Sequence, residues 1–184
     1  MSAVLSGPFH ARTSPPIKPA LSLAELTSVV RSAAAETRRW QSRLQLPEGG
    51  NRWWMLLSKD DHVDIWLLSW LPGQATDLHD HARSAAAFTV VRGLLSEVRL
   101  DERGRATTYS RRPDSMIWLA PGVVHDVSGA GVEPAVSIHA YSPPLREMNY
   151  YAPDRRGRLH VVRTVATQEP EQGTRDDRCR ASQH

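Results

Sequence analysis

Two histidines stand one residue apart, His79 and His81, in the stretch PGQATDLHDHARSAAAFTVVRG from Pro72 to Gly93. Residues i and i+2 of a β-strand point to the same face, so the two imidazoles can reach one metal ion together. A third histidine, His125, follows the residues APGVV 44 positions after His81. In a barrel, that distance lets the chain return on an adjacent strand and bring all three imidazoles to one metal. A His-x-His pair by itself is more often structural, so the prediction depends on the residues around it.

A second set of polar side chains lies in the stretch AVSIHAYSPPL, where Ser137, His139 and Tyr141 occupy alternate positions. On a strand, all three would face one way. Ser137 can hydrogen-bond to His139, and His139 can bond or orient the Tyr141 hydroxyl. A phenol beside a metal can donate a proton or position a substrate. The alternative is an ordinary half-buried strand whose polar groups are satisfied by their neighbours.

The residues around the histidine pair resemble the first motif of the cupin family. That motif runs Gly, five residues, His-x-His, three or four residues, Glu, six residues, Gly. Gly73, His79, His81 and Gly93 keep this spacing, while Ala86 stands at the Glu position. The resemblance implies a jelly-roll barrel with a metal site that lacks the carboxylate ligand.

The stretch APGVVHDVSG resembles the second cupin motif, Pro-x-Gly-x-x-His followed by an asparagine after three more residues. Gly122 and His125 keep their places, whereas Ala120 replaces the proline and Gly129 replaces the asparagine. Three neutral imidazoles leave a divalent metal with a charge of about +2, which favours an anionic ligand such as a thiolate. Facial ligation leaves three octahedral positions, two for the sulfur and nitrogen of an aminothiol and one for O2.

Together, the stretches LHDH, PGVVHDV and SIHAYSPPL resemble the cysteine dioxygenase family of thiol dioxygenases, over roughly residues 50–152. The Ser-x-His-x-Tyr-Ser-Pro-Pro run is the most specific part. The resemblance implies a non-haem Fe(II) enzyme that adds both atoms of O2 to the thiol of L-cysteine and gives cysteine sulfinate. It also implies roles for six residues: His79, His81 and His125 as metal ligands, and Ser137, His139 and Tyr141 as a catalytic outer relay.

Two departures from that family bear on the site. Mammalian members have a cysteine, cross-linked to the tyrosine, where this chain has Ala86, so Tyr141 is expected to be an unmodified phenol. Cysteine-specific members also place an arginine upstream of the histidine pair to bind the substrate carboxylate. Arg52 is the nearest arginine to that position, and a guanidinium fork suits a carboxylate. Arg52 is therefore the candidate substrate-binding residue, and the alternative is a surface arginine before a strand.

Other functions stay open at this point. Related thiol dioxygenases act on 3-mercaptopropionate and tend to carry Gln in place of the carboxylate-binding arginine, and residues 50–70 contain no Gln, which favours cysteine modestly. A metal-binding or sensory cupin without turnover is a further alternative, although it has less need of a phenol relay. A purely structural barrel is the last alternative. Three imidazoles would also bind zinc, nickel or copper.

Helix-breaking residues and the spacing of apolar residues predict the helices and strands that carry these side chains. Residues 1–20 contain four prolines and are expected to form an irregular arm. A segment of about 22–44 is expected to be helical, because Ser22 and Glu25 form a capping-box pattern before apolar residues at helical spacing. It opens a cupin domain at 21–166, and the polar tail at 167–184 is expected to be disordered.

Short apolar runs bounded by turn residues predict many strands after residue 52. They are 53–57, 63–70, 86–92, 94–100, 106–111, 115–119, 123–128, 134–141, 147–151 and 158–163. Gly93 between two of them suggests a tight turn. The predicted fold class is mainly β, a cupin or jelly-roll β-barrel with one or two N-terminal helices.

Composition excludes several classes of function. The formal charge is +3, and no basic run interleaves with aromatic residues, so nucleic-acid binding has no support; pairs such as Arg111-Arg112 are interpreted as solvated surface charge. The single cysteine, Cys179, excludes an intramolecular disulfide and a Cys-rich zinc site. No signal peptide or membrane-spanning run is visible, so a cytoplasmic protein without a membrane partner is expected. The expected partners are a small thiol and O2, and the protein is expected to be a monomer or weak oligomer.

Overall fold

The computed structural model describes residues 19–46, 52–171 and 174–175, the last two by their backbone alone. Strands account for 47% of the described residues and helices for 14%, and the strands form two β-sheets. The predicted mainly β, cupin-like fold class is confirmed. Of the predicted N-terminal arm, only residues 19–20 lie within the described part of the chain.

Helix α1 spans Leu23–Ala35 and begins at the predicted capping box. The Ser22 N–H donates to Glu25 Oε2 over 2.8 Å, and the Ser22 hydroxyl oxygen accepts the Glu25 N–H over 3.3 Å. Helix α1 ends because Glu36 leaves the helical conformation, with ψ at 50°. Two short pieces follow, helix α2 (Thr37–Trp40) and a 3-10 helix (Gln41–Arg43). The stretch predicted as one helical segment is therefore interrupted.

Each of the ten predicted strands overlaps a strand of the structure. The strands are β1 (Trp54–Lys59), β2 (Asp64–Trp70), β3 (Gln74–Ala75), β4 (His79–Asp80), β5 (Ala85–Arg92), β6 (Leu95–Leu100), β7 (Ala106–Arg111), β8 (Met116–Leu119), β9 (His125–Gly129), β10 (Ala135–Ser142), β11 (Glu147–Pro153), β12 (Leu159–Ala166) and β13 (Thr174–Arg175). Strands β3, β4 and β13 were not predicted, because two residues are too few to show a period.

The strands pair antiparallel in two sheets. The five-stranded sheet has the order β1-β2-β10-β5-β8. The other sheet runs β12-β11-β4-β9-β3-β13, with β6 paired to β9 and β7 paired to β6. Strands β4 and β9, which carry histidines, are therefore neighbours although a long stretch of sequence separates them.

Strand β10 is buried on both of its faces. Tyr141 lies in the cluster between the two sheets, together with Trp70 and Phe88. Ile138, which points the other way, lies in a second cluster that α1 covers with Leu26. The fold thus has an inner core, which holds the site, and an outer core beneath the helix.

Gly93 makes the turn between β5 and β6, with φ at 80°. A Cβ atom there would lie 2.7 Å from the Cα of Ala135. The predicted turn therefore needs glycine for two reasons, a left-handed backbone and the close approach of another strand.

The tail differs from its expected disorder over its first residues. The structure describes residues 167–171, and the Thr167 N–H donates to the carbonyl of Arg146 over 3.0 Å. The backbone of β13 pairs with β3. Polar composition predicts disorder because it offers little to bury, but main-chain pairing needs no apolar side chain. The remaining tail residues lie outside the described ones, and the domain limits of 21–166 stay a prediction.

Neither α1 nor α2, the α-helices of the described residues, has the length and apolar character that crossing a bilayer needs.

Candidate metal centre

The three predicted ligand histidines meet between the sheets. His79 on β4 pairs directly with His125 on β9, and His81 follows β4 immediately. Their ring centroids are 4.6 to 5.1 Å apart. One ligand nitrogen from each lies within 4.8 Å of the others, and all three side chains are buried. The sequence placed these imidazoles on one face, and the strand pairing brings the third beside them.

Hydrogen bonds on the Nδ1 atoms orient two of these rings. His79 Nδ1 is 2.8 Å from the carbonyl of Asp77 and donates to it. His125 Nδ1 is 3.2 Å from Glu97 Oε1, and a proton on that nitrogen leaves Nε2 as the free acceptor. His125 Nε2 is buried and has no hydrogen-bond partner among the described residues. An unpartnered buried nitrogen beside two other imidazoles fits a metal ligand.

The electrostatic setting keeps His79 and His81 neutral. Burial lowers the pKa of His79 well below its ordinary value, and the neighbouring His125 adds to this effect. Burial also lowers the pKa of His81, with a further contribution from His79. Neutral imidazole is the form that binds a metal ion. These two rings can therefore bind a divalent cation at neutral pH without first releasing an extra proton.

Asp80, between the two histidines, holds the turn that aims His81. Its carboxylate accepts the Ala82 N–H over 2.7 Å and the Tyr151 hydroxyl over 2.6 Å. Ala82 has φ at 49°, a strained conformation for a residue other than glycine. The aspartate of LHDH was not assigned a role from the sequence, although its place between two candidate ligands was a signal.

Glu97 is a second residue that the sequence analysis missed. It is fully buried on β6. Burial acts to raise the pKa of this carboxyl, but hydrogen bonds from His125 and Arg99 outweigh it and lower the pKa to about 2. Arg111 also binds Glu97, over 2.7 Å from its Nε. The interpretation of Arg111 as solvated surface charge is therefore wrong, because its guanidinium pairs with a buried carboxylate.

Ser137, His139 and Tyr141 all lie on the inner face of β10. Ser137 Oγ is 2.9 Å from His139 Nε2, as the alternation predicts. The Trp70 indole N–H donates to Ser137 Oγ over 2.8 Å. Since indole can only donate, the Ser137 proton is left for His139. The Phe88 ring stacks on the His139 ring with centroids 4.6 Å apart, so the imidazole is held from two sides.

Tyr141 lies beside the histidine cluster. The Tyr141 ring is 6.4 Å from that of His139 but only 4.8 Å from that of His81, centroid to centroid. The structure thus places the phenol closer to a candidate ligand than to the predicted relay partner. Burial raises the pKa of Tyr141, against the positive charge of Arg52. The phenol keeps its proton at neutral pH.

Arg52 is buried, with 2% of its surface exposed, and it lines the same cavity as the histidines. Its guanidinium lies 3.9 Å from the centre of the Trp70 ring, and Nη2 donates to the carbonyl of Glu171. Nε and Nη1 are buried without a partner in the described structure. Burial lowers the pKa of Arg52 to about 10, against the charge of Glu171. The alternative reading of a surface arginine is wrong.

Glu171, in the tail, completes the cavity wall. Its Oε1 accepts the Asp77 N–H over 3.2 Å, and Oε2 is 3.5 Å from His79 Nδ1. Burial raises the pKa of this carboxyl to about 7. No signal in the sequence pointed to it, because a glutamate in a polar tail looks like solvated charge.

The cavity brings together every candidate site residue. Its walls are formed by Arg52, Leu68, Trp70, Thr76, His79, His81, His125, Val127, His139, Tyr141 and Glu171, and Ser137 supports His139 from behind. The roles assigned to these residues stay predictions.

A jelly-roll barrel that gathers three buried histidines at one point defines the class of protein, a cupin with an all-histidine candidate metal site. The particular family follows from the sequence. Residues 18–155 match the family described as cysteine dioxygenase type I. The chain belongs to that family, as the resemblance in its motifs predicts.

Cysteine dioxygenase type 1 of Danio rerio is 28% identical to this chain over 93 residues, which cover 45% of this chain and 46% of that protein. The match thus spans less than half of the curated relative. Among solved structures, the oxalate decarboxylase of Lactobacillus farciminis has a TM-score of 0.50 at 15% identity, covering 60% of this chain and 34% of that one. TT1209 of Thermus thermophilus has a TM-score of 0.49 at 19% identity, covering 56% and 93%. At such identity, the oxalate decarboxylase similarity shows the barrel fold alone.

Proposed function

We propose that this protein is an iron-dependent thiol dioxygenase that adds both atoms of O2 to the thiol of L-cysteine and gives cysteine sulfinate. One observation carries the proposal: three buried imidazoles converge in the cavity that Arg52 lines with two unpartnered donors. Membership in the cysteine dioxygenase type I family supports it.

The candidate ligands are His79, His81 and His125. They are neutral donors, so a divalent ion held by them keeps its full positive charge and attracts a thiolate. Bound Fe(II) would supply the coordination positions and the electron exchange that the reaction of a thiol with O2 requires. Buried aromatic residues around the histidines, among them Trp70 and Phe88, keep bulk water from the reacting groups.

Arg52 is the proposed binding residue for the substrate carboxylate. A buried guanidinium with unpartnered N–H groups is costly, because desolvation is not offset by hydrogen bonds. A carboxylate that accepts from Nε or from Nη1, which point to opposite edges of the guanidinium, would offset part of that cost with a charge-assisted hydrogen bond. Trp70 holds the guanidinium plane from one side. This pairing requires a substrate with a carboxylate at a fixed distance from its thiol.

Tyr141 is the proposed catalytic proton donor, since its phenol stays protonated beside His81. Ser137 and His139 form the neighbouring relay, in which Trp70 donates to Ser137 and Ser137 donates to His139. His139 Nε2 is then the acceptor of that bond, and its Nδ1 carries the ring proton. This series of hydrogen bonds from Trp70 to His139 fixes which group donates and which accepts before substrate binds.

The test measures O2 uptake and sulfinate formation by the purified, Fe(II)-loaded protein, with L-cysteine and 3-mercaptopropionate at equal concentrations. We expect turnover of L-cysteine and production of cysteine sulfinate, with slower turnover of 3-mercaptopropionate. Preference for 3-mercaptopropionate would refute the substrate but keep the reaction. Stoichiometric iron without O2 uptake from any small thiol would refute the enzyme and favour a metal-binding cupin.

Two variants test the assigned residues. His81→Asn should abolish stoichiometric Fe(II) binding, and retained iron would refute the ligand set. Arg52→Met should raise KM for L-cysteine by roughly 100-fold, because a charge-assisted pair contributes on the order of 3 kcal/mol. Arg105→Met is the matched control, since Arg105 pairs with Asp101 at the surface and its loss should leave KM unchanged.

A further inference from the structure

We propose that Glu97 is a positioning residue of the metal centre: it holds the Nδ1 proton of His125, so that Nε2 of that ring faces the metal ion. The inference rests on the metal-binding part of the proposed function and does not depend on which thiol is oxidised. It adds to the site a carboxylate that lies behind a ligand and does not touch the metal.

The geometry places Glu97 where only one ligand can use it. Strand β6 pairs with β9, with Arg99 opposite His125 and Glu97 opposite Val127. Glu97 Oε1 lies 3.2 Å from His125 Nδ1, while Nε2 on the far side of the ring is buried and unpartnered in the described structure. His79 instead makes its Nδ1 bond to the main-chain carbonyl of Asp77. Glu97 is therefore a side chain through which substitution can change the orientation of a single ligand.

Two arginines make this buried carboxylate possible. Arg99 Nε donates to Oε1 over 2.9 Å, and Arg111 donates to Oε2 from Nε over 2.7 Å and from Nη2 over 2.5 Å. The Tyr109 ring lies 4.3 Å from the Arg111 guanidinium and holds it in place. A buried charge without such partners would cost several kcal/mol. With them, Glu97 stays an ionised acceptor at the back of His125.

The same arginines keep Glu97 from cancelling the charge of the metal. One carboxylate faces two guanidinium groups, so the outer group as a whole stays positive. A carboxylate bound to the metal itself would lower the charge of the centre by one and weaken its attraction for a thiolate. Because Glu97 lies behind the imidazole, it raises the basicity of His125, while the metal centre keeps its electrostatic attraction for an anionic substrate.

The test measures Fe(II) affinity of the full-length protein, anaerobically, in competition with a chromophoric chelator. Glu97→Gln keeps an acceptor oxygen but loses the charge, and Glu97→Ala loses both. Since partners of ligating histidines typically contribute 10–100-fold in affinity, we expect a loss of about 10-fold for Gln and about 100-fold for Ala. Asp64→Asn is the matched control, because Asp64 is equally buried but accepts from the Leu145 N–H; its affinity should equal that of the wild type.

A spectroscopic readout separates positioning from a loss of folding. In the Zn(II)-loaded protein, long-range 1H–15N NMR spectra should show a downfield, slowly exchanging His125 Nδ1 proton. This signal should move upfield in Glu97→Gln and exchange away in Glu97→Ala. If the Ala variant does not fold, the Gln variant decides alone.

The outcomes are distinct. Unchanged Fe(II) affinity in Glu97→Gln, with an unaltered His125 Nδ1 signal, would overturn the role of Glu97 and leave the proposed function standing. Failure of the wild-type protein to bind Fe(II) would refute the metal centre, and with it both proposals.

Discussion

The two faces of strand β10 are equally buried, yet they carry opposite chemistry. The inner face presents His139 and Tyr141 to the cavity between the sheets, and Ser137 on the same face supports His139. The outer face presents Ile138 and its neighbours to helix α1. Because successive side chains of a strand alternate between faces, one segment can supply both the site and the support beneath it.

The contrast between the two faces shows that different residues of one strand stabilise the barrel and form the site. Apolar groups on the outer face need no specific partner, so burial alone stabilises them. Polar groups on the inner face must be hydrogen-bonded when they are buried. The hydrogen bonds from Trp70 to Ser137 and from Ser137 to His139 meet that requirement. Substitutions on the two faces should therefore have effects of different kinds.

The largest effect is expected on the inner face. Tyr141→Phe removes one hydroxyl and should lower kcat about 1000-fold, since a positioned proton donor contributes roughly 10²- to 10⁴-fold. Iron content and unfolding temperature should stay unchanged. Steady-state O2 uptake measures this, with Tyr109→Phe on the exposed β7 as control. Equal kcat in Tyr141→Phe and the wild type would show that the phenol only fills space.

On the outer face, Ile138→Ala should lower the free energy of unfolding by about 3.5 kcal/mol, because a fully buried isoleucine leaves a cavity. The activity of the folded fraction should be unchanged. Urea titration and O2 uptake on the same preparation measure both. A loss of kcat with little change in stability would break the separation of the two faces.

A buried carboxyl offers a sharper test through pH. Burial raises the pKa of Asp64 from 3.8 to about 6, against the hydrogen bond from the Leu145 N–H. A folded-state pKa above the unfolded one means that the folded protein binds the proton more tightly. Its contribution to stability is present at low pH and is lost as the pH rises from about 4 to 6.

Asp64→Asn cannot ionise, so its stability relative to the wild type should rise by roughly 2 kcal/mol between pH 4 and pH 7, at 1.36 kcal/mol per pKa unit. Above pH 7 the difference should be flat. Denaturant unfolding of both metal-free proteins measures it, and their shared histidine titrations cancel in the difference. A difference that does not vary with pH would show that Asp64 titrates normally.

The smallest effect is expected from Ser137→Ala, which leaves the Trp70 N–H and His139 Nε2 without their partner. Stability should fall by about 2 kcal/mol, the cost of unsatisfied buried polar groups. Ser137→Thr keeps the hydroxyl and should recover most of it. No loss in the Ala variant would mean that water replaces the hydroxyl and that the inner face tolerates polar gaps.

Much of the barrel could be predicted because its longer strands alternate and end at turn residues. The two-residue strands β3, β4 and β13 carry no period, and the histidines of LHDH were placed by their motif. Glu97 did leave a signal. It stands two residues after Leu95, on the face of β6 that points inward, and both side chains are fully buried. A carboxylate at a position where the alternation of the strand predicts an apolar side chain indicates a buried charge, which needs hydrogen-bond or ion-pair partners.

The partners themselves carried no such signal. Arg111 lies 14 residues from Glu97, in a strand that is exposed for most of its length, where an arginine predicts solvated charge. Arg52 and Glu171 are 119 residues apart. Arg52 was proposed through the family resemblance, and Glu171 was not proposed at all.

The amino-acid sequence was enough to predict which side chains share a face, because the direction of a side chain along a strand depends only on local backbone geometry. This was enough to predict the inner set on β10, and the histidine motifs indicated the family to which the chain belongs. Three contacts became visible only in the folded protein: His125 lies beside His79, Glu97 lies behind His125, and Glu171 of the tail contacts Arg52. Those contacts depend on which distant strands pair, and pairing is set by the packing of the whole barrel and not by any short stretch of the chain.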